Sequence, residues 1–146
     1  MAPALSAYEL VTALHVIAVT VAFGVVFAFP IIRSAAASSA GPAAARRLEY
    51  TVARYLINPG LLVVLLAGIY LASSGHHWKQ FFVQWGLGAV IVIGGLVGSI
   101  LIPAAKKAEP LAGQPEAAPL ERRLAIVGWA ISLIVVVTIV LMVAQA

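Results

Sequence analysis

The stretch YELVTALHVIAVTVAFGVVFAFPII, running from Tyr8 to Ile32, is apolar almost without interruption and holds one histidine, His15. A hydrocarbon core about 30 Å thick takes about 20 helical residues to cross, and this segment exceeds that length. Three further stretches approach or exceed it: Leu56 to Ser73, Phe81 to Pro103 and Leu124 to Ala144. The chain has 146 residues, of which 63% are hydrophobic and 10% charged. Its mean hydropathy is +1.07, far from the balance of a water-soluble domain. The reading is an all-α, four-helix transmembrane bundle forming a single membrane domain over 1–146, with helices over about 8–32, 56–74, 80–104 and 120–144. A cleaved signal peptide is excluded as an account of the first run, which lacks a preceding Lys or Arg and outlasts an h-region.

The nine Lys and Arg residues divide unevenly among the loops. Arg33, Arg46, Arg47 and Arg54 lie between helices one and two, and Lys106, Lys107, Arg122 and Arg123 between helices three and four. Lys79 stands alone in the middle loop. The excess of basic residues on cytoplasmic loops places the two long loops inside and both termini outside, an N-out/C-out arrangement that, if the source is a bacterium, lies in its inner (cytoplasmic) membrane. The net charge of +4 then needs no nucleic acid as partner, because topology and anionic lipid account for it. The lipid bilayer is the partner that composition demands.

Ser34 to Gly41 reads as a small-residue connector, and Pro42 suits the first turn of a helix. Residues 43–56 form an expected short interfacial helix in the first cytoplasmic loop, anchored by Arg46, Arg47, Glu49 and Arg54, with Leu48, Val52, Tyr55 and Leu56 against the bilayer. Asn58-Pro59-Gly60 is expected to kink or restart the chain. The stretch from Glu109 to Pro119 reads as a flexible linker. Helix three carries Gly94 and Gly98 as a GxxxG pair, repeated by Gly95 and Ser99, which implies close approach of another backbone. That contact lies within the bundle or, as a homo-oligomer or membrane partner, between chains.

A titratable side chain inside a membrane span marks a functional site by default. Tyr8, Thr12, His15 and Val19 share a narrow arc of helix one that points into the bundle. His15 lies on the order of 9 Å from the bilayer centre at 1.5 Å per residue. Tyr70, Gln84, Trp85, Thr138 and Met142 fall in the same half of the membrane, so Thr12, Tyr70, Gln84 and Trp85 are candidate site lining. His15 is the candidate axial ligand of a haem iron, with Met142, His76 or His77 as second ligand. The alternative is that His15 only fixes helix packing through a hydrogen bond to Thr12, Tyr70 or a carbonyl. No phosphate loop, HExxH, CxxC or nucleophile beside a base is present, and the chain has no cysteine, so hydrolase and thiolate chemistry are set aside. The catalytic residues, if any, are not identified by motif.

ALHVIAVTVAFG (Ala13 to Gly24) resembles the opening of a group of small bacterial membrane proteins that includes the copper-resistance D-like proteins and the HemJ-type protoporphyrinogen oxidases. Arg54 to Leu62 (RYLINPGLL), Leu66 to Leu71 (LAGIYL), Trp78 and Val140 to Val143 (VLMV) are similar to an uncharacterised four-helix bacterial integral membrane protein family in that group. The resemblance spans nearly the whole chain. It implies a haem b held through the helix-one histidine, here His15. The HemJ-type relatives also carry a lysine shortly after a tryptophan at the start of helix three. Lys79 directly follows Trp78 here, a different spacing, so porphyrinogen oxidation is not carried over. A haem-dependent redox or electron-transfer protein and a non-catalytic membrane subunit packing through helix three are the two expectations.

Overall fold

The computed structural model of the chain describes residues 4–38 and 41–145. They form four helices long and apolar enough to cross a membrane: α1 (Ala7–Ala35), α2 (Pro42–Ser74), α3 (Phe81–Leu111) and α4 (Pro115–Ala144). At about 1.5 Å per residue these run on the order of 44 to 50 Å, well beyond the hydrocarbon thickness, so each projects past the apolar layer. α1 starts at a capping box: Ser6 Oγ accepts from the Glu9 amide at 3.2 Å while Glu9 Oε2 accepts from the Ser6 amide at 2.8 Å. Two orphan amides at the helix start are thereby satisfied.

The expected interfacial helix over 43–56 is not a separate element. It runs directly into the second span, so that α2 is one helix of 33 residues. Pro59 does not break it because the turn before the proline widens to π geometry over Ala53–Ile57, which eases the clash between the ring and the carbonyl four residues back. α3 repeats the device, with a π stretch at Val97–Leu101 ahead of Pro103. α1 tightens instead, to a 3₁₀ stretch at Val25–Ala28 ahead of Pro30. The expected linker over 109–119 shrinks for a related reason. α3 continues to Leu111, and Pro115 opens the last helix, where a proline costs no hydrogen bond. Of the expected Ser34 to Gly41 connector, residues to Ser38 are helical, and 39–40 lie outside the described residues.

The pairing of helices is uneven along the bundle. At the arginine end, Pro42–Val52 of α2 packs on Ile102–Leu111 of α3, and α4 packs on both α3 and the Val25–Ala28 stretch of α1. Ala45, Ala53, Ala104, Ala105 and Ala108 are buried there, and their small size lets the backbones approach. Towards the other end, which carries the Ser74–Gln80 turn, Ala7–Gly24 of α1 packs on Asn58–Ser74 of α2 while α3 pairs with α4. The α1–α2 seam is closest at Gly60, where an added Cβ would lie 2.7 Å from Ala22 Cβ. Gly94, Gly95 and Gly98 make no such approach within the chain; a Cβ added at any of them meets open space. The close contact expected of that face inside the bundle is therefore absent, and the tight contacts between helices fall at Gly60 of α2 and Gly86 of α3 instead.

Inside the arginine end sits an ion cluster. Glu49 is fully buried, with Oε1 accepting from Arg33 Nε at 2.7 Å and Oε2 from Arg46 Nη1 at 2.8 Å. Arg33 Nη2 donates to the Leu124 carbonyl at 3.3 Å. Arg46, 4% exposed, places Nε 3.5 Å from Glu121 Oε1, and that Nε has no hydrogen-bond partner among the described residues. Residues expected as interfacial anchors thus point inward, while Leu48, Tyr55 and Leu56 are exposed. The remaining basic side chains at this end, Arg47, Arg54, Lys106, Lys107, Arg122 and Arg123, are exposed.

Removing one partner of a buried ion pair strands the others, at a cost of about 3–5 kcal/mol, whereas exposed charges rarely matter beyond about 0.5 kcal/mol. Glu49→Ala is therefore expected to lower the thermal midpoint of detergent-solubilised protein sharply and Arg47→Ala to leave it nearly unchanged. Equal midpoints for the two variants would refute the assignment.

Candidate functional site

Between the α1–α2 pair and the α3–α4 pair, in the half of the bundle nearer the turn, lies a cavity of about 340 Å³. This falls in the range of small-molecule sites, roughly 300–1,000 Å³. His15 contributes its ring from α1, Gly68 and Val64 from α2, Gly86 from α3, and Thr138 and Met142 from α4; His77, Trp78 and Gln80 of the turn line one end. The floor is Phe23, Ile93 and Val135, all buried.

His15 is half-buried and its orientation is fixed by α2. Nδ1–H donates to the Val64 carbonyl at 3.1 Å, a main-chain acceptor being the only role that carbonyl can play. The carbonyl sets the tautomer, leaving Nε2 with its lone pair. The ring lies against Gly68, where an added Cβ would come 3.4 Å from the His15 ring. A histidine whose Nδ1–H is held by a backbone carbonyl is oriented and made a better donor at Nε2, the usual supporting arrangement for a metal-bound imidazole. Met142 reaches the cavity across Gly86, since a Cβ there would sit 2.8 Å from the Met142 methyl carbon. His77 lies over Gly75, which a side chain would displace.

The residues singled out from sequence separate into two groups. His15, Met142 and His77 line this one cavity. Tyr8, Val19 and Thr138 line it as well, whereas Thr12, Tyr70, His76, Gln84 and Trp85 do not. Thr12 turns back on its own helix, its Oγ donating to the Tyr8 carbonyl at 2.8 Å. His76 is exposed and donates from Nδ1 to the Ser73 carbonyl at 3.0 Å, closing the end of α2. Tyr70 is exposed on the outside of α2. Gln84 Nε2 donates to the Trp78 carbonyl at 3.3 Å. Trp85 donates from Nε1 to Thr138 Oγ1 at 3.0 Å, tying α3 to α4. Of these bonds, the one from Trp85 to Thr138 joins two helices of the frame.

Two contributors are absent from the sequence reading. The Val64 carbonyl is main chain, and no residue type announces it. Gly68 did leave a signal: with Gly60 it lies eight residues along α2, on the side of the helix that meets α1. Among the described residues no three His, Asp or Glu side chains converge as a metal cage, so a metal here would bring ligands of its own, as a porphyrin does. Comparison with protein-family models, with curated proteins and with solved structures finds no match to this chain. By its fold the chain is a membrane helical bundle with four apolar helices able to span a bilayer.

The hydrogen bond from His15 to Val64 predicts one tautomer. ¹⁵N spectra of histidine-labelled protein in bilayers are expected to show a protonated Nδ1 and an unprotonated Nε2 for the resonance that disappears in His15→Phe. The opposite tautomer would remove the support for ligation through Nε2.

Proposed function

We propose that this chain is a multi-pass protein of a bacterial inner membrane, with both termini and the Ser74–Gln80 turn outside, which holds a haem b beside His15 for one-electron redox chemistry. The observation that carries the reading is the pairing of His15 Nδ1–H with Val64 while Nε2 is left free on a cavity shared with Met142 and His77. The donor set fits a haem iron: an imidazole supported from behind by a carbonyl, and a thioether or second imidazole on the same cavity. The exposed basic side chains at the arginine end support the orientation. The resemblance of the helix-one segment to haem-binding membrane proteins points the same way.

Bound haem would supply a metal centre that gains and loses one electron. The residues of the chain do the rest. Val64 holds the His15 ring and keeps its proton on Nδ1, so the donor atom is available without a protonation change. Met142 would offer a bound iron a soft sulfur donor, and His77 a nitrogen donor, from the walls of the same cavity. The apolar walls from Phe23, Val90, Ile93 and Val135 would keep water from a bound group, which is one of the ways a protein sets a metal's potential.

A second reading, a non-catalytic membrane subunit, draws on the open space beside Gly94 and Gly98. One comparison separates the two. Protein purified in mild detergent from haem-replete cells is expected to give a reduced-minus-oxidised spectrum with Soret and α bands that are lost in His15→Ala. A flat spectrum in both, with Gly94→Leu and Gly98→Leu converting an oligomer to a monomer, would favour the subunit. For the orientation, Ser74→Cys in this cysteine-free chain is expected to react with an impermeant maleimide added outside intact cells, and labelling only from the cytoplasmic side would reverse the topology.

A further inference from the structure

The His15 cavity is long, apolar and polar at one end. Its lining runs along α1 from Tyr8 to Phe23, fifteen residues apart and therefore about 22 Å at 1.5 Å per residue. His77, Trp78 and Gln80 line the turn end, with Gln145 beside them, and the opposite end is closed by buried Phe23, Ile93 and Val135. A polar solute in this space would leave most of its groups without hydrogen-bond partners. A long apolar body with a compact polar head would not.

The packing of the helices gives that body a way in. Over Ala7–Gly24, α1 leans on α2, and its main contact with α4 comes at Val25–Ala28, close to the floor of the cavity. α4 meanwhile pairs with α3. Above the floor α1 and α4 part, and Tyr8 on α1 and Ile139 on α4, which both line the cavity, are 40% and 45% exposed. In a spanning helix, an opening at Ile139 faces hydrocarbon.

We infer that the cavity is loaded sideways from the bilayer, through the gap between α1 and α4, by a membrane-dissolved amphiphile whose head seats against His77, Trp78 and Gln80. The inference rests on the membrane-spanning reading of the four helices and holds with or without haem, itself such an amphiphile. His15 Nε2 then meets the part of the occupant that carries a metal or a hydrogen-bond donor.

Tryptophan fluorescence in brominated lipid reads the route directly. Phe23 is 4% exposed at the cavity floor, whereas Phe29 is 1% exposed in the core and off the cavity; Trp129 is 66% exposed on the outside of α4. Three single-tryptophan proteins are compared, with the other tryptophans changed to Phe: Phe23→Trp, Phe29→Trp and native Trp129. They are made in haem-limited cells and reconstituted in phosphatidylcholine with or without mid-chain bromines. Phe23→Trp is expected to lose as large a share of its intensity to brominated lipid as Trp129 does, and to resist iodide. Phe29→Trp is expected to resist both. If Phe23→Trp resists bromine as Phe29→Trp does, or is quenched by iodide, lateral loading is overturned. Val90→Trp reports from the α3 wall where Phe23→Trp lowers the yield of helical protein, and is read by the same criteria. A missing Soret band in the wild-type protein defeats the haem proposal and leaves this result standing, while an unquenched floor beside an intact Soret band defeats lateral loading alone.

Discussion

The carboxylate of Glu49 organises this protein. It is the one fully buried acid among the described residues, and two guanidinium groups from different helices close on its two oxygens. An isolated carboxylate in such a place would be untenable, so the positions of Arg33 and Arg46 are not free to vary. Arg33 in turn holds the Leu124 carbonyl, and Arg46 faces Glu121. Three helices are thereby fixed at one level, and the long extensions of α2 and α3 past the apolar layer exist to bury the cluster that fixes them. In other buried ion networks, replacing every partner with apolar side chains of similar volume costs little; what the charges provide here is a single register for α1, α2 and α4.

Fixing one end leaves the other end loose. Lipid tails are as apolar as leucine, so no hydrophobic force draws helices together within the bilayer, and association depends on close packing and polar links. At the arginine end alanines and the ion cluster supply both. At the turn end each pair has its own link: His15 to Val64 for α1 and α2, Trp85 to Thr138 for α3 and α4. Neither bond joins one pair to the other. The cavity occupies the space between the two pairs, a consequence of where the polar links fall.

The spans were legible in the sequence because a run of about 20 apolar residues has few other meanings. Their ends were not. Asn58-Pro59-Gly60 read as a break and the proline-rich stretch 109–119 as a linker, yet Pro59 follows a widened turn that accommodates it and Pro110 and Pro115 sit at helix ends, and such a widening depends on tertiary packing. Arg46 and Glu49, three residues apart, looked like the polar face of a surface helix; what distinguishes them from Arg47 is a partner on another helix, which local pattern does not carry. His15 was legible as a costly residue in an apolar run, and Met142 and His77 as neighbours in the same membrane half; all three line the one cavity. Thr12 lies off the cavity, because a threonine hydroxyl in an apolar helix has a nearer acceptor in the carbonyl four residues back.

Two roles were set against each other for His15, a helix clasp and a ligand. The geometry removes the opposition. The clasp uses Nδ1–H and the Val64 carbonyl; a ligand uses Nε2. A group bound at Nε2 draws electron density from the ring and makes the Nδ1 proton a stronger donor, so ligation tightens the bond that holds α1 to α2. Conversely, the carbonyl makes Nε2 a better donor atom. An occupant of the cavity that engages His15 would therefore brace the end of the bundle that the ion cluster cannot reach, and stability at the turn end becomes coupled to occupancy through one imidazole.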